Sequence, residues 1–269
     1  MSLAIFLSSL AIAFIFLPLL AWKWSIRLKI AVAGAIIIGG LTGLIVSLIG
    51  VWFPGLGLGM LILTEPFLVL LMVLLAIALR FYRDPERYPL VTDGVILSPA
   101  DGRVVYVNKI EKGSSLVSTK GKRSFKLDEI MSTNLLDSAV YLVGIDMNVL
   151  NVHVNRTPIK GKVIFQKRTK GRFVSLRRED SEVLNERVTT VIENGEFSVG
   201  VIQIASRLVR RIVSYTRKGE GLEIGQRIGA IVFGSQVDVA IPELENLRME
   251  VKPGDEVIAG ISVIGRYLS

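Results

Sequence analysis

The hydrophobic pattern divides the chain into two parts that meet near residue 80. Three long apolar stretches come first: Leu3–Trp22, Ile30–Val51 and Gly57–Leu79. Stretches of about 20 apolar residues predict transmembrane helices. The glycines near residue 57 leave the start of the third stretch ambiguous, so two spans with a re-entrant or interfacial segment remain an alternative. Residues 1–80 are therefore predicted to form a membrane anchor of two to three transmembrane helices.

From residue 81 the pattern changes to many short apolar or alternating runs, separated by Gly, Pro, Asp and Asn. This spacing is typical of a mainly β domain, here predicted over residues 81–269. Short helices are predicted only at Leu127–Asn134 and Ala205–Val209. The predicted strands are Val91–Leu97, Gly102–Val107, Ala139–Ile145, Gly161–Gln166, Arg187–Glu193, Phe197–Ile204, Arg211–Tyr215, Arg227–Phe233, Val237–Ile241 and Glu256–Ile264.

Two turns in this part look alike, at Ser98–Val104 and Val251–Val257, because each places Gly beside Asp between two strands. Such residues tolerate the left-handed backbone of tight turns. Similar turns recur in barrel-sandwich modules of the lipoyl type, so the soluble domain is predicted to be barrel-sandwich-like. The turns also support an alternative function, a non-enzymatic membrane adaptor.

Charge predicts how the chain meets the membrane. Lys23, Arg27 and Lys29 lie between the first two spans, and Arg80 and Arg83 follow the third. By the positive-inside rule both groups are cytoplasmic, which predicts a multi-pass protein of the cell membrane with a cytoplasmic β domain. From residue 81 the chain carries 28 basic and 23 acidic residues, a balance that suits anionic headgroups. The basic residues are not interleaved with aromatics, so a nucleic-acid partner is not expected.

The absence of cysteine and the presence of one histidine narrow the chemistry. They exclude disulfides, thiol catalysis and any metal site built from several histidines, so no metal is expected. The histidine, His153, is either a structural residue or the side chain that takes and returns a proton near neutral pH. Asp101 is either a turn residue before Gly102 or an orienter of His153.

The pair Gly234-Ser235 interrupts an apolar run, Ile228–Asp238, that otherwise reads as a strand. One interpretation is a bulge or tight bend, because Gly inside a strand often marks one. The other is that the Ser235 hydroxyl attacks the Gly234 carbonyl, which no side chain shields. Asp101, His153 and Ser235 together supply the carboxylate, imidazole and hydroxyl of a nucleophilic triad.

Five ordered motifs within residues 81–265 resemble the phosphatidylserine decarboxylase family, in particular its short branch. They are Arg-Asp-Pro-Glu-Arg at 83–87, Ser-Pro-Ala-Asp-Gly at 98–102, Asn-Val-His-Val-Asn-Arg-Thr-Pro at 151–158, Gln-Ile-Ala at 203–205 with Arg-Arg-Ile-Val at 210–213, and Arg-Ile-Gly with Phe-Gly-Ser-Gln-Val-Asp-Val within 227–239. Two positions depart from the family pattern. Leu150 stands where many larger members have a second histidine, and Gln236 stands where threonine is common.

The resemblance implies a pyruvoyl enzyme that cleaves itself between Gly234 and Ser235. His153 would activate Ser235, Asp101 would fix the histidine tautomer, and residue 235 would become a covalent pyruvoyl cofactor. The cleaved chains, 1–234 and 235–269, would remain together as a heterodimer, with further homo-oligomerisation possible. The pyruvoyl ketone would form a Schiff base with the amine of a serine phospholipid, and decarboxylation would give the ethanolamine phospholipid.

The motifs leave the lipid tails open between phosphatidylserine and archaetidylserine, and we favour the latter on the thermophile-like composition. Three basic side chains are candidates to bind the lipid phosphate or the leaving carboxylate: Arg156, Lys160 and Arg211. Guanidinium groups pair with both anions through two hydrogen bonds, and ammonium offers a point charge. Ordinary surface charge is the alternative for each of them.

Overall fold

A computed structural model describes residues 2–24, 26–89, 93–111, 139–170, 186–205, 211–232 and 235–267. These residues fall into two compact units. One is Met1–Tyr82 together with Asn148–Leu150, and the other is Arg83–Met147 together with Asn151–Ser269.

The first unit contains three helices, α1 (Ser2–Lys23), α2 (Leu28–Trp52) and α3 (Leu58–Phe81). Each is long and apolar enough to cross a membrane. All three predicted stretches form continuous helices, and α3 begins at Leu58, among the glycines that made its start ambiguous.

Small residues allow α1 and α2 to approach closely. A methyl group added at Gly39 would lie 3.0 Å from the Cα of Leu10 on α1. Such small-residue contacts are common where helices pack in lipid. Glu65 on α3 is fully buried among the helices, and Ser8 Oγ donates a hydrogen bond of 2.9 Å to its Oε1. The helices therefore shield this carboxylate from lipid.

The second unit is built from fourteen strands within the described ranges. They are β1 (Val95–Leu97), β2 (Gly102–Ile110), β3 (Val140–Met147), β4 (Val154–Arg156), β5 (Gly161–Thr169), β6 (Arg187–Glu193), β7 (Ser198–Ala205), β8 (Ile212–Ser214), β9 (Gly221–Leu222), β10 (Arg227–Ile231), β11 (Ser235–Pro242), β12 (Arg248–Met249), β13 (Glu256–Val257) and β14 (Val263–Arg266).

These strands form three sheets, and every pairing is antiparallel. The large sheet has the order β13-β2-β3-β11-β7-β6-β5-β9. Two three-stranded sheets have the orders β1-β14-β12 and β4-β10-β8. The consecutive strands β10 and β11 thus belong to different sheets.

The core follows the two-residue period of the strands. On β11, Val237 and Val239 join the main core cluster. Ala240 joins a second cluster with Leu142 and Ile202, from the alternate positions of β3 and β7. The large sheet therefore buries apolar side chains on both faces, which explains why its central strands are almost uniformly apolar.

The predicted architecture, a mainly β domain behind N-terminal apolar helices, is confirmed. The predicted strand Glu256–Ile264 is wrong as a single element, because a turn with Gly260 at φ +69° separates β13 from β14. The predicted helix Leu127–Asn134 lies outside the described residues. Of the predicted helix Ala205–Val209 only Ala205 is described, and it ends β7.

The two similar turns found in the sequence lie side by side. Strand β13 pairs with β2, and Val104 exchanges backbone hydrogen bonds of 2.8 Å with Gly254 and Asp255. Gly254 adopts φ +103°, a conformation that favours glycine. The two similar turns are therefore neighbours in one sheet, because the strand after Asp101 pairs directly with β13.

Candidate active site

Ser235 is the first residue of β11, the strand at the centre of the large sheet. Its register places it opposite Met147 on β3 and opposite Ala205 on β7. The preceding strand, β10, ends at Ile231 in a different sheet. The predicted break at Gly234-Ser235 thus coincides with the passage from one sheet to another. The Ser235 side chain and residue 234 lie outside the described part, as does the predicted contact between Ser235 and His153.

His153 comes from the turn that follows β3. Strand β3 ends at Met147, and the Asn148 side chain accepts a 2.9 Å hydrogen bond from the backbone N–H of Leu150, which stabilises the turn. The carbonyl of His153 accepts a 3.1 Å hydrogen bond from the N–H of Ile231. The backbone of His153 is therefore hydrogen-bonded to β10, the strand that precedes Gly234-Ser235. Met147, at the start of the same turn, pairs with Ser235 on β11.

The imidazole of His153 is held in one tautomer. Its Nδ1 lies 2.9 Å from the Asn151 carbonyl oxygen. Because a carbonyl only accepts hydrogen bonds, Nδ1 is assigned the proton and Nε2 the lone pair of the neutral ring. Nε2 is then the basic nitrogen.

Burial keeps this ring neutral. Only 3% of His153 is exposed, and burial lowers its pKa to about 4, although the hydrogen bond to Asn151 and the negative charge of Asp101 act in the opposite direction. At neutral pH His153 is a base ready to accept a proton rather than a cation.

Asp101 has a different set of partners from the one predicted. Within the described ranges its carboxylate accepts hydrogen bonds from Arg87 (2.6 and 3.0 Å), from the Val152 N–H (3.3 Å) and from the Ala259 N–H (2.9 Å). The tautomer of His153 is set by Asn151, not by a hydrogen bond from its ring to Asp101. Asp101 acts on the histidine through its charge and through the adjacent Val152. Its catalytic role stays a prediction.

The Arg-Asp-Pro-Glu-Arg motif forms an ion-pair network with the site strands. Arg227 donates to Asp84 at 2.5 Å and to Glu86 at 2.7 Å. Arg87 Nη1 donates a 2.7 Å hydrogen bond to the Ala259 carbonyl, so Arg87 bridges this carbonyl and Asp101. In the sequence these residues stand out as a motif and, at Arg83, as part of a basic group. The order of charges, with basic residues at 83 and 87 flanking acidic residues at 84 and 86, was the available signal for a more specific role.

The three proposed phosphate ligands have different surroundings. Arg156 is buried and donates to the Gly225 carbonyl at 3.0 Å and the Pro85 carbonyl at 3.1 Å, and burial lowers its pKa. Lys160 is exposed and lies 3.1 Å from Glu223. Arg211 is also exposed, and its carbonyl accepts a hydrogen bond from the N–H of Val232. Arg156 therefore serves the internal network, and the substrate-binding roles of all three stay predictions.

A pair of buried amides near the start of β11 was missed by the sequence reasoning. Gln203 Nε2 donates a 2.8 Å hydrogen bond to Asn155 Oδ1, and both side chains are almost fully buried. Gln203 lies opposite Val237, two residues along β11 from Ser235. A methyl group at Gly229 would lie 3.0 Å from the Gln203 amide nitrogen, so glycine leaves the room for this pair. The motifs at 151–158 and 203–205 contain both residues, but only the fold reveals their contact.

Within the described ranges, no three His, Cys, Asp or Glu side chains lie together in a group able to hold a metal ion.

Comparison with known proteins gives a consistent result. The family model described as phosphatidylserine decarboxylase matches residues 74–265. A Methanocaldococcus jannaschii protein named archaetidylserine decarboxylase proenzyme is 39% identical over 74% of this chain and 93% of its own length. A Methanothermobacter thermautotrophicus protein of the same name is 39% identical over 74% of this chain and 84% of its own. A phosphatidylserine decarboxylase proenzyme of Pelobacter propionicus is 36% identical over 74% and 81%. This chain is an enzyme and belongs to the phosphatidylserine decarboxylase family.

Proposed function

We propose that this protein is a membrane-bound decarboxylase that converts a serine phospholipid to the ethanolamine phospholipid, after cutting its own chain between Gly234 and Ser235. The main observation in support is the placement of His153. It is buried and neutral, has its basic nitrogen defined, and is joined by its backbone to the strand that leads into the Gly-Ser pair.

In the uncut chain, Nε2 of His153 takes the proton of the Ser235 hydroxyl as the oxygen attacks the Gly234 carbonyl carbon. The peptide C–N bond breaks, the nitrogen regains a proton, and an ester joins Gly234 to the serine oxygen. Loss of the α-proton and of the ester oxygen leaves a carboxylate at Gly234 and a double bond at residue 235. Addition of water and loss of ammonia then leave a pyruvoyl group at residue 235.

The strand pairing around residue 235 suits such a group. Residue 235 is in register between β3 and β7, which would hold a new chain start in a defined place. A pyruvoyl group there would supply an electron sink: its ketone would condense with the substrate's primary amine, with loss of water, and would take up the electron pair released as carbon dioxide leaves. His153 is our candidate for returning a proton to the α-carbon of the headgroup.

The sheet arrangement also explains why the two fragments would stay together. The fragment 235–269 contributes β11, β12, β13 and β14. Of these, β11 and β13 pair with strands of the larger fragment in the large sheet, and β14 pairs with β1 in a second sheet. Val237, Val239 and Ile241 of this fragment lie in the main core cluster. Separation would expose this apolar surface, so we expect a stable heterodimer of the two chains.

Membrane attachment is proposed on the three apolar helices. The basic residues at 23, 27, 29, 80 and 83 favour a cytoplasmic β domain. A membrane anchor suits a lipid substrate that stays in the bilayer. Two of the relatives named above are archaetidylserine decarboxylase proenzymes and one is a phosphatidylserine decarboxylase proenzyme, and we favour the archaeal lipid.

The test is an intact mass measurement of the purified protein, followed by borohydride reduction in the presence of a primary amine. We expect a fragment of about 4 kDa, the share of residues 235–269 in a chain of 269 residues and 29.6 kDa, with a reducible carbonyl at its start. The Ser235→Ala variant is the control and should remain one chain. Release of carbon dioxide from each serine lipid in vesicles then identifies the substrate. A wild-type chain that stays intact on long incubation would contradict the proposal and favour the membrane adaptor.

A further inference from the structure

A polar cluster lies on the second face of the large sheet, directly beside the proposed cleavage point. It consists of Gln236, Asp238 and Tyr106, and we term it the Gln236 cluster. Gln236 Nε2 donates to Asp238 Oδ1 at 2.8 Å and to Tyr106 Oη at 3.1 Å. Gln236 and Asp238 are buried. The two bonds occupy both hydrogens of the amide nitrogen, so they fix the side chain in one orientation.

The backbone is shaped to allow this cluster. Tyr106 lies on β2, one strand beyond β3, and reaches β11 only by crossing β3 at Gly144. A methyl group at Gly144 would lie 2.4 to 2.8 Å from atoms of the Tyr106 ring, so glycine provides the space. The β2–β3 register shifts between Val104 and Tyr106. Such a bulge redirects the side chains that follow it.

We propose that Gln236 is a positioning residue that holds residue 235 in place after the chain has been cut, an inference that rests on the proposed function. In the uncut chain, residue 235 is held covalently from both sides. After the cut it becomes the first residue of a chain and is held covalently through residue 236 alone. Chain ends fray unless they are tied down, and the Gln236 cluster ties down the adjacent residue.

Because Gln236 is needed to hold residue 235 only after the cut, its role can be distinguished by experiment from that of a residue that only stabilises the fold. Loss of its side chain should affect the cut enzyme much more than the cutting reaction. Displacement of a reacting group by about 1 Å costs up to about a hundredfold in rate. We therefore expect Gln236→Ala to lower kcat by between about tenfold and a hundredfold, with little change in KM or in the rate of self-cleavage.

The experiment compares Gln236→Ala with the matched control Gln166→Ala in full-length protein in vesicles. Gln166 also donates two amide hydrogen bonds, to Thr190 (3.3 Å) and Thr216 (3.2 Å), but it lies on β5, away from β11 in the same sheet. The readouts are the rate of appearance of the 235–269 fragment, its carbonyl content, kcat, KM, and hydrogen exchange of the first residues of β11. Tyr106→Phe removes one of the two hydrogen bonds and keeps the ring.

We expect normal cleavage and carbonyl content in Gln236→Ala, a lower kcat, and faster hydrogen exchange at the start of β11. Hydrogen exchange at the start of β11 should not change when Gln236→Ala is added to Ser235→Ala, because that chain stays uncut. Tyr106→Phe should show a smaller effect of the same kind, and it decides the question if Gln236→Ala fails to fold. If the wild type cleaves and turns over, but both variants behave like Gln166→Ala, the positioning role is overturned while the proposed function stands. A wild type that never cleaves overturns both.

Discussion

The pKa of His153 leads to a pH prediction that differs sharply from the behaviour of an ordinary histidine. Burial lowers this pKa from 6.5 to about 4. At pH 5.5 a histidine with a pKa of 6.5 is only about 9% neutral, whereas one with a pKa near 4 is about 97% neutral. If neutral His153 is the base that activates Ser235, self-cleavage should be nearly as fast at pH 5.5 as at pH 7.5.

The assay uses wild-type protein made by cell-free synthesis into vesicles, so that cleavage starts from the uncut chain. Samples are moved to buffers between pH 5 and 8, and the appearance of the 235–269 fragment is timed by mass spectrometry. Ser235→Ala provides the uncut baseline, and circular dichroism at each pH confirms that the domain remains folded. A cleavage rate that falls about tenfold for each pH unit below 6.5 would show that the base has an ordinary pKa and would refute the reasoning.

Four substitutions test the surroundings of the site. Asp101→Ala leaves a buried guanidinium without its carboxylate and should cost about 3–5 kcal/mol of unfolding free energy in chemical denaturation; unchanged stability with lost activity would instead indicate a purely catalytic role. Lys160→Ala should change the unfolding free energy by less than about 1 kcal/mol, so a higher KM for lipid in this variant would support a role in substrate binding. Arg156→Ala should instead destabilise the domain. Gly144→Ala forces a methyl group against the Tyr106 ring and should cost about 1–3 kcal/mol; an unchanged melting temperature would contradict this packing.

The same pKa shift links His153 to stability. The unfolded chain binds a proton on this residue below pH 6.5, whereas the folded chain does so only below about 4. Folding is therefore opposed progressively as the pH falls from about 6.5 to 4, by roughly 3 kcal/mol in total. Chemical denaturation of His153→Gln, compared with wild type across this range, should show a weaker loss of stability towards acid. Parallel losses in the two proteins would contradict the shift.

The sequence predicted the parts of this structure that depend on local pattern. Apolar length identified the three helices, and alternation located most long strands, with Arg187–Glu193 placed to the residue. Some strands of two or three residues, such as β4 and β9, were missed because so short a run has no readable period. The change of sheet between β10 and β11 was visible only as a Gly-Ser interruption, since sheet membership depends on partners far away in the chain.

The site was harder to predict, because its geometry depends on backbone atoms and register. The Asn151 carbonyl sets the tautomer of His153, and a carbonyl is present at every position, so no residue type marks it. The contact of Tyr106 with Gln236 requires a bulge in β2 and a glycine on the strand between them. Asp101 was singled out from the sequence, but its shortest hydrogen bond joins it to Arg87, fourteen residues earlier in the chain.

The low pKa of His153 also suggests how one histidine could serve both reactions in a chain with Leu150 at the second family position. A neutral imidazole is ready to take a proton, first from Ser235 during the single cutting event and then, in each turnover, from the ammonium group of the substrate, which must lose a proton before it can act as a nucleophile. An imidazolium with a pKa near 4 is a strong donor, so it would return that proton readily to the α-carbon once carbon dioxide has left. Weak basicity would slow the single cutting event and the deprotonation of the ammonium group, whereas strong acidity would speed the return of the proton in every turnover.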